Sequence, residues 1–197
     1  MTDTLFTVEG ETFEVAGPIE TDGLLRSEHY LGPMSAGWLR FGQYIDGSLV
    51  AVQVWKPPTS RMLPADGTWL ELARWCLTCN AGENAGSRGH AAFVRWLRLN
   101  RTEVTTLVSY SDPSKGHTGA LYKACNWVWS PTWHRLREPP TGGGNWGTGT
   151  RQAAKDRWIF ALRSDDRRRE HLTIDDDPCK RIYETLVPVG RRPDWLT

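Results

Sequence analysis

A single domain of mixed α/β (α+β) class, with a central sheet flanked by helices, is the fold this sequence predicts. Two observations carry it. Two strand-like runs, residues 38–45 and 48–55, are joined by Asp46-Gly47, a strong two-residue hairpin signal. Further on, His90, Phe93, Val94 and Leu97 recur at helical spacing between two more strand-like runs. Strands interleaved with helices call for a sheet covered by helices.

Taken in order, residues 5–15 alternate weakly around Glu9-Gly10-Glu11 and predict a small hairpin. His29-Tyr30-Leu31-Gly32-Pro33 reads as the end of a short helix or as a loop. The main hairpin follows and is stopped by Lys56-Pro57-Pro58. Residues 69–78 predict a third strand. Strict alternation puts Glu71 and Trp75 on one face and Arg74 on the other. The small-residue loop 80–87 opens a helix that runs to about Leu99. Residues 104–110 form the next strand and 119–125 a short helix. A strand-like run over 127–136, interrupted by Pro131, and a last strand over 157–162 are separated by a glycine-rich connector, 142–149. These elements predict a domain over residues 1–163 and a polar tail or appendage over 164–197.

Composition narrows the class. The chain has 197 residues, 39% hydrophobic and 24% charged, which suits one soluble domain. No run approaches the roughly 20 apolar residues of a membrane span, so a membrane partner is not expected. The start, Met1-Thr-Asp-Thr, lacks a secretion pattern, and a cytoplasmic location is expected. A net charge of +1 does not announce nucleic acid, although basic clusters stand at Arg167–Arg169 and Arg191-Arg192. Cys76-Leu-Thr-Cys79 has CxxC spacing but no second ligand pair at zinc-ribbon distance. Eleven tryptophans offer core packing or stacking surface for a flat ligand.

The richest chemistry lies between Tyr110 and Trp127. Asp112 sits in a Pro/Gly-broken loop, His117 follows, and a short helix carries Tyr122 and Asn126. Asp112 is a base, a ligand, an orienting group or, before Pro113, a simple turn former. Glu71 and Arg74 are charges inside an apolar strand, so each needs a partner or a polar cleft. The loop 80–87 is either a phosphate-holding helix start or a plain capped one, with Asn84, Ser87 and Arg88 the groups nearest such a ligand.

These residues carry a resemblance. Ala120-Leu-Tyr-Lys-Ala-Cys-Asn-Trp127 resembles a core motif of the GNAT acyltransferase superfamily. More specifically, Tyr110-Ser-Asp112, Gly116-His-Thr-Gly119 and Leu121 to Trp127 are similar to the phage Mom family. So are Glu71-Leu-Ala-Arg74, Glu83-Asn-Ala-Gly-Ser87 and His29-Tyr-Leu-Gly32 upstream. The resemblance spans roughly residues 28–162. The loop 80–87 departs from the Arg/Gln-x-x-Gly-x-Gly/Ala pattern usual in that superfamily.

The resemblance implies a GNAT-like sheet and an enzyme that places a carbamoylmethyl-type group on N6 of adenine in phage DNA, protecting it from restriction. Double-stranded DNA with one adenine flipped out is then the partner, and an acyl-CoA or related donor the cofactor, with iron also implied as an option. Asp112 is the first base and Glu71 the second. Tyr122 protonates the leaving group, Arg74 holds negative charge, and His117 is a ligand, orienter or cap. Ser87, Asn84 and Arg88 face the donor. Tyr110, Asn126 and Trp127 face the substrate, with Trp75 and Trp129 as further stacking groups. Acylation of a small amine or protein, and a non-catalytic DNA-binding protein on the same scaffold, are the alternatives.

Overall fold

The computed structural model describes residues 4–8, 10–34, 39–61, 63–130 and 155–162. The later part of the 127–136 run, Trp38, the glycine connector and the tail lie outside them. Among the described residues, eight strands form one sheet: β1 (Thr4–Val8), β2 (Glu11–Val15), β3 (Leu39–Ile45), β4 (Ser48–Lys56), β5 (Trp69–Leu77), β6 (Thr106–Ser111), β7 (Val128–Ser130) and β8 (Asp156–Ala161). Their order is β1-β2-β3-β4-β5-β6-β8-β7, so the last strand inserts between β6 and β7. All neighbours are antiparallel except β5 and β6. The β3–β4 turn is built as its residues demand, with Asp46 and Gly47 both at positive φ.

Among the described residues, three α-helices cover the sheet: α1 (Pro18–Glu28), α2 (Ala85–Asn100) and α3 (Ala120–Ala124). Alternation along β4 sorts the core. Trp55 faces α2, where it stacks on Phe93 at 4.3 Å within the cluster that holds Leu97, Leu72 and Leu107. Val52 and Val54 face the other way, against Leu24 and Leu25 of α1 and Cys76. The helix-spaced set His90, Phe93, Val94 and Leu97 is buried throughout. Gly86 lets α2 meet α3 closely, since a Cβ there would lie 2.4 Å from Leu121 Cδ1. Among the described residues, no helix is long and apolar enough to cross a membrane.

Two expectations change here. Residues 18–28 form a full helix, where the sequence predicts only a helix end or a loop at 29–33. The strict alternation of β5 also fails. Val54 pairs with Arg74 and Trp55 with Leu72, which leaves Ala73 as a bulge. Lys56 pairs with Glu71, two residues along β4 from Val54, so Glu71 and Arg74 share a face.

His90, 3% exposed, accepts a hydrogen bond at Nε2 from Trp127 Nε1 at 3.1 Å. Burial pushes its pKa down to about 3. A proton on the ring would have to displace that bond inside the core. The folded pKa lies below the unfolded one, so this contribution is complete above about pH 6.5. It is lost as pH falls from 6.5 towards 3, on the order of 5 kcal/mol in all. His90→Gln keeps an acceptor but not the titration. Chemical unfolding at pH 7 and pH 4 is therefore expected to show a smaller acid loss in this variant than in the wild type.

Candidate active site

β5 and β6 run side by side from Trp69/Thr106 to Leu72/Ser109 and then part. β5 continues from Ala73 to Leu77 without β6 beside it. The bulge at Ala73 bends the strand where the two separate. The fork opens a cleft of about 670 Å³, walled by β5, the start of α3, the loop before it, the segment 29–31 after α1 and residues 56–60.

Tyr122 sits in the wall of this cleft, at the fork. Its hydroxyl lies 2.8 Å from Ser109 Oγ, and Ser109 in turn donates to the carbonyl of Leu72 at 3.1 Å. The ring stacks on Trp158 at 5.2 Å and 9° and meets Trp75 edge-on at 5.8 Å. Trp158, itself buried, is anchored by its indole N–H on Ser111 Oγ at 2.9 Å. Burial pushes the phenol up to about 12, against the pull of the Ser109 hydrogen bond. At neutral pH Tyr122 is therefore a protonated donor.

Arg74 also lines the cleft. Its guanidinium donates to carbonyls, Nε to Gly32 at 3.0 Å and Nη1 to Ala73 at 2.8 Å. No carboxylate is among these partners, and burial lowers its pKa. The bond to Gly32 ties the 29–32 segment to β5. On that segment His29 is held neutral, its pKa pushed down to about 4 by burial and then by Arg74 and His117. Tyr30 stacks on His29 at 5.0 Å and meets the His117 ring edge-on at 5.1 Å. Tyr30 and Leu31 are each 48% exposed at the mouth.

Glu71 and Tyr110 line the cleft as well. The Glu71 carboxylate is held by Lys56 Nζ at 3.2 Å, the Thr59 backbone N–H at 2.7 Å and the Thr59 hydroxyl at 3.3 Å. Burial and then Glu71 raise the Tyr110 phenol.

The remaining candidates are not in the walls of the cleft. Asp112 caps the turn Pro113–Lys115, accepting from Ser114 N at 3.0 Å and Ser114 Oγ at 2.5 Å. Those bonds hold its carboxyl below the usual range, led by the Ser114 hydroxyl. A carboxylate so held is a weak base, and the turn-former reading describes it. Trp127 is 5% exposed in the core, occupied by His90, and has no face for a base. Asn126 is an exposed left-handed turn residue at φ 60°. Trp129 donates to Asp156 at 3.2 Å. Arg88 pairs with Glu11 on β2 and donates to the Glu83 carbonyl at 2.6 Å. Ser87 donates to the Asn84 carbonyl at 2.9 Å, and Asn84 is the left-handed cap of α2.

Iron does not fit this donor set. Asp112 is taken by Ser114 and Tyr122 by Ser109. Among the described residues, no group of three or more His, Cys, Asp or Glu is placed to hold a metal. An acyl-CoA-type donor fits better. The β5 edge beyond Leu72 offers backbone groups to an amide-bearing chain, and α2 starts just after that strand.

Sequence reasoning missed Ser109, Ser111, Trp158 and Gly119. The visible signal was two serines two apart in an otherwise apolar strand, which puts both on one face.

A family model, the Mom protein family, matches residues 17–173. No curated protein matches the chain significantly. Among solved structures it resembles yncA of Salmonella typhimurium, solved with its cofactor acetyl-CoA, at 10% identity and a TM-score of 0.54, covering 79% of this chain and 96% of that one. It also resembles a Salmonella typhimurium acetyltransferase that modifies the N-terminal serine of ribosomal protein L7/L12, at 7% identity and 0.54, covering 81% and 99%. The GNAT N-acetyltransferase YhbS of Escherichia coli, solved with CoA, matches at 17% identity and 0.50, covering 82% and 86%. At these identities the likeness establishes the fold, which is that of the GNAT acetyltransferases.

Proposed function

Because the chain belongs to the Mom protein family, we propose that it transfers a small acyl-derived group, of carbamoylmethyl type, to N6 of adenine in double-stranded DNA. The observation that carries this reading is the fork cleft. It brings together a protonated phenol, a guanidinium bonded to carbonyls, and an exposed aromatic mouth.

Each part has a task. An acyl-CoA-type donor would supply an activated carbon, held along the β5 edge. Adenine leaves the duplex at a cost of a few kcal/mol, offset by stacking and phosphate contacts. Tyr30, half exposed at the mouth, is the stacking surface, in place of the buried Trp127. Arg74 and Lys155 in the walls draw in phosphate or hold the charge that develops on the donor. N6 is a poor nucleophile and must lose a proton as it attacks. His117, in the wall of the cleft beside Tyr30, takes that proton. Tyr122 protonates the leaving atom.

Moving the base from Asp112 to His117 has a clear consequence. Asp112→Asn keeps an oxygen to accept from Ser114 and so keeps the turn. The variant is expected to modify DNA within about threefold of wild type, whereas loss of a catalytic base costs about 100-fold or more. His117→Ala is expected to show that larger loss. Plasmid DNA from expressing cells, challenged with restriction nucleases that cut at adenine-containing sites, reads both. Cleavage of wild-type-treated plasmid as fast as control plasmid would end the DNA-modification reading.

A further inference from the structure

Ser109 is 1% exposed and stands at the last rung before β5 and β6 part. Its hydroxyl has one proton and two neighbours, the Leu72 carbonyl at 3.1 Å and the Tyr122 hydroxyl at 2.8 Å. The carbonyl can only accept. While Ser109 donates to Leu72, Tyr122 must donate to Ser109, and the phenol proton points away from the cleft. If Ser109 turns its O–H to the Tyr122 oxygen, the phenol proton is released towards the cleft.

We infer that Ser109 is a positioning residue that switches its single proton from Leu72 to Tyr122 as Tyr122 gives up its own. This rests on Tyr122 being the proton donor of the reaction proposed above. In the step, the Tyr122 O–H bond breaks and its proton bonds to the leaving atom. The electron pair stays on the phenol oxygen, where the Ser109 O–H now donates to it. Nothing is oxidised or reduced. The proton taken from N6 leaves through His117 to solvent, and solvent restores the proton of Tyr122.

The second serine on this face supports the arrangement. Ser111 anchors Trp158, and Trp158 stacks on the Tyr122 ring, so the hydroxyl and the ring are fixed from the same strand. A hydrogen bond that strengthens only as charge develops acts on the rate rather than on ground-state binding.

The test pairs Ser109→Ala with Ser109→Thr, which keeps the hydroxyl and suits a strand. Thermal melting checks that each variant folds, and if the threonine variant does not, Ser109→Ala decides through both readouts. Two quantities are read. One is the level of adenine modification in co-expressed DNA. The other is the 13Cζ resonance of Tyr122 in labelled protein without substrate, assigned by its absence in Tyr122→Phe. Ser109→Ala is expected to lower modification about 10- to 100-fold, as for a hydrogen bond to a charged group, and to move the Tyr122 resonance. Ser109→Thr is expected to restore both. Equal modification in wild type and Ser109→Ala would overturn the inference. So would a resonance that does not move in Ser109→Ala, or a loss that a folded hydroxyl-bearing variant fails to rescue. If wild-type DNA carries no modification, the reaction itself is wrong, and the resonance still decides whether Ser109 bonds Tyr122.

Discussion

Tyr122→Phe is expected to lower DNA modification by about 100- to 10,000-fold, the range for removing a general acid, while leaving the fold nearly as stable. The two effects separate because of the local hydrogen bonds. The Tyr122 hydroxyl bonds Ser109, and Ser109 keeps the Leu72 carbonyl when the phenol is gone. No buried donor is orphaned, so the stability cost is about 1 kcal/mol or less. The phenylalanine ring keeps its stack on Trp158 and its edge contact with Trp75. Quantifying modified adenine alongside urea unfolding checks this. A stable Tyr122→Phe protein that modifies DNA at the wild-type level would remove Tyr122 from the chemistry.

Gly119→Ala is expected to do the reverse, damaging fold and activity together. Gly119 precedes α3 at φ +72°, a conformation that costs an L residue about 1 kcal/mol or more. An added Cβ would lie 2.1 Å from Cζ2 of Trp158 and 2.7 Å from Cη2. Trp158 cannot yield easily, since it is 2% exposed and tied to Ser111. Overpacking of this kind costs about 1–3 kcal/mol, so the total is about 2–4 kcal/mol. Relief requires α3 or Trp158 to move, and either shifts Tyr122 relative to Ser109. A displacement of about 1 Å at a reacting group can cost about 100-fold in rate. Urea unfolding and modification assays of the variant should therefore fall together.

Much of the fold was legible because its signals are local. Asp46-Gly47 dictates a two-residue turn, and the 90-93-94-97 spacing dictates the buried stripe of α2. Helix α1 was harder to see, because its buried face rests on little more than Thr21, Leu24 and Leu25. The insertion of β8 between β6 and β7 is a long-range pairing that no local pattern encodes. The bulge at Ala73 was equally invisible, and it decides that Glu71 and Arg74 share a face.

The site divides along similar lines. Tyr122, Arg74, Glu71, Tyr110 and His117, all candidates in the sequence, line one cleft. Asp112 and Trp127 do not, for reasons of partner choice. Ser114 two residues on captures the carboxylate, and His90 in the core captures the indole. Such captures depend on which side chains meet in space. The same holds for Tyr30, whose place at the mouth follows from the Arg74 bond to Gly32.

The most direct measurement is the exact mass of nucleosides from DNA co-expressed with the wild-type protein and with Tyr122→Phe. The account predicts an adenosine species heavier by a small acyl-derived group of carbamoylmethyl type in the wild-type sample, with at least about a 100-fold drop in the variant. Unmodified adenine alone in the wild-type sample would contradict it.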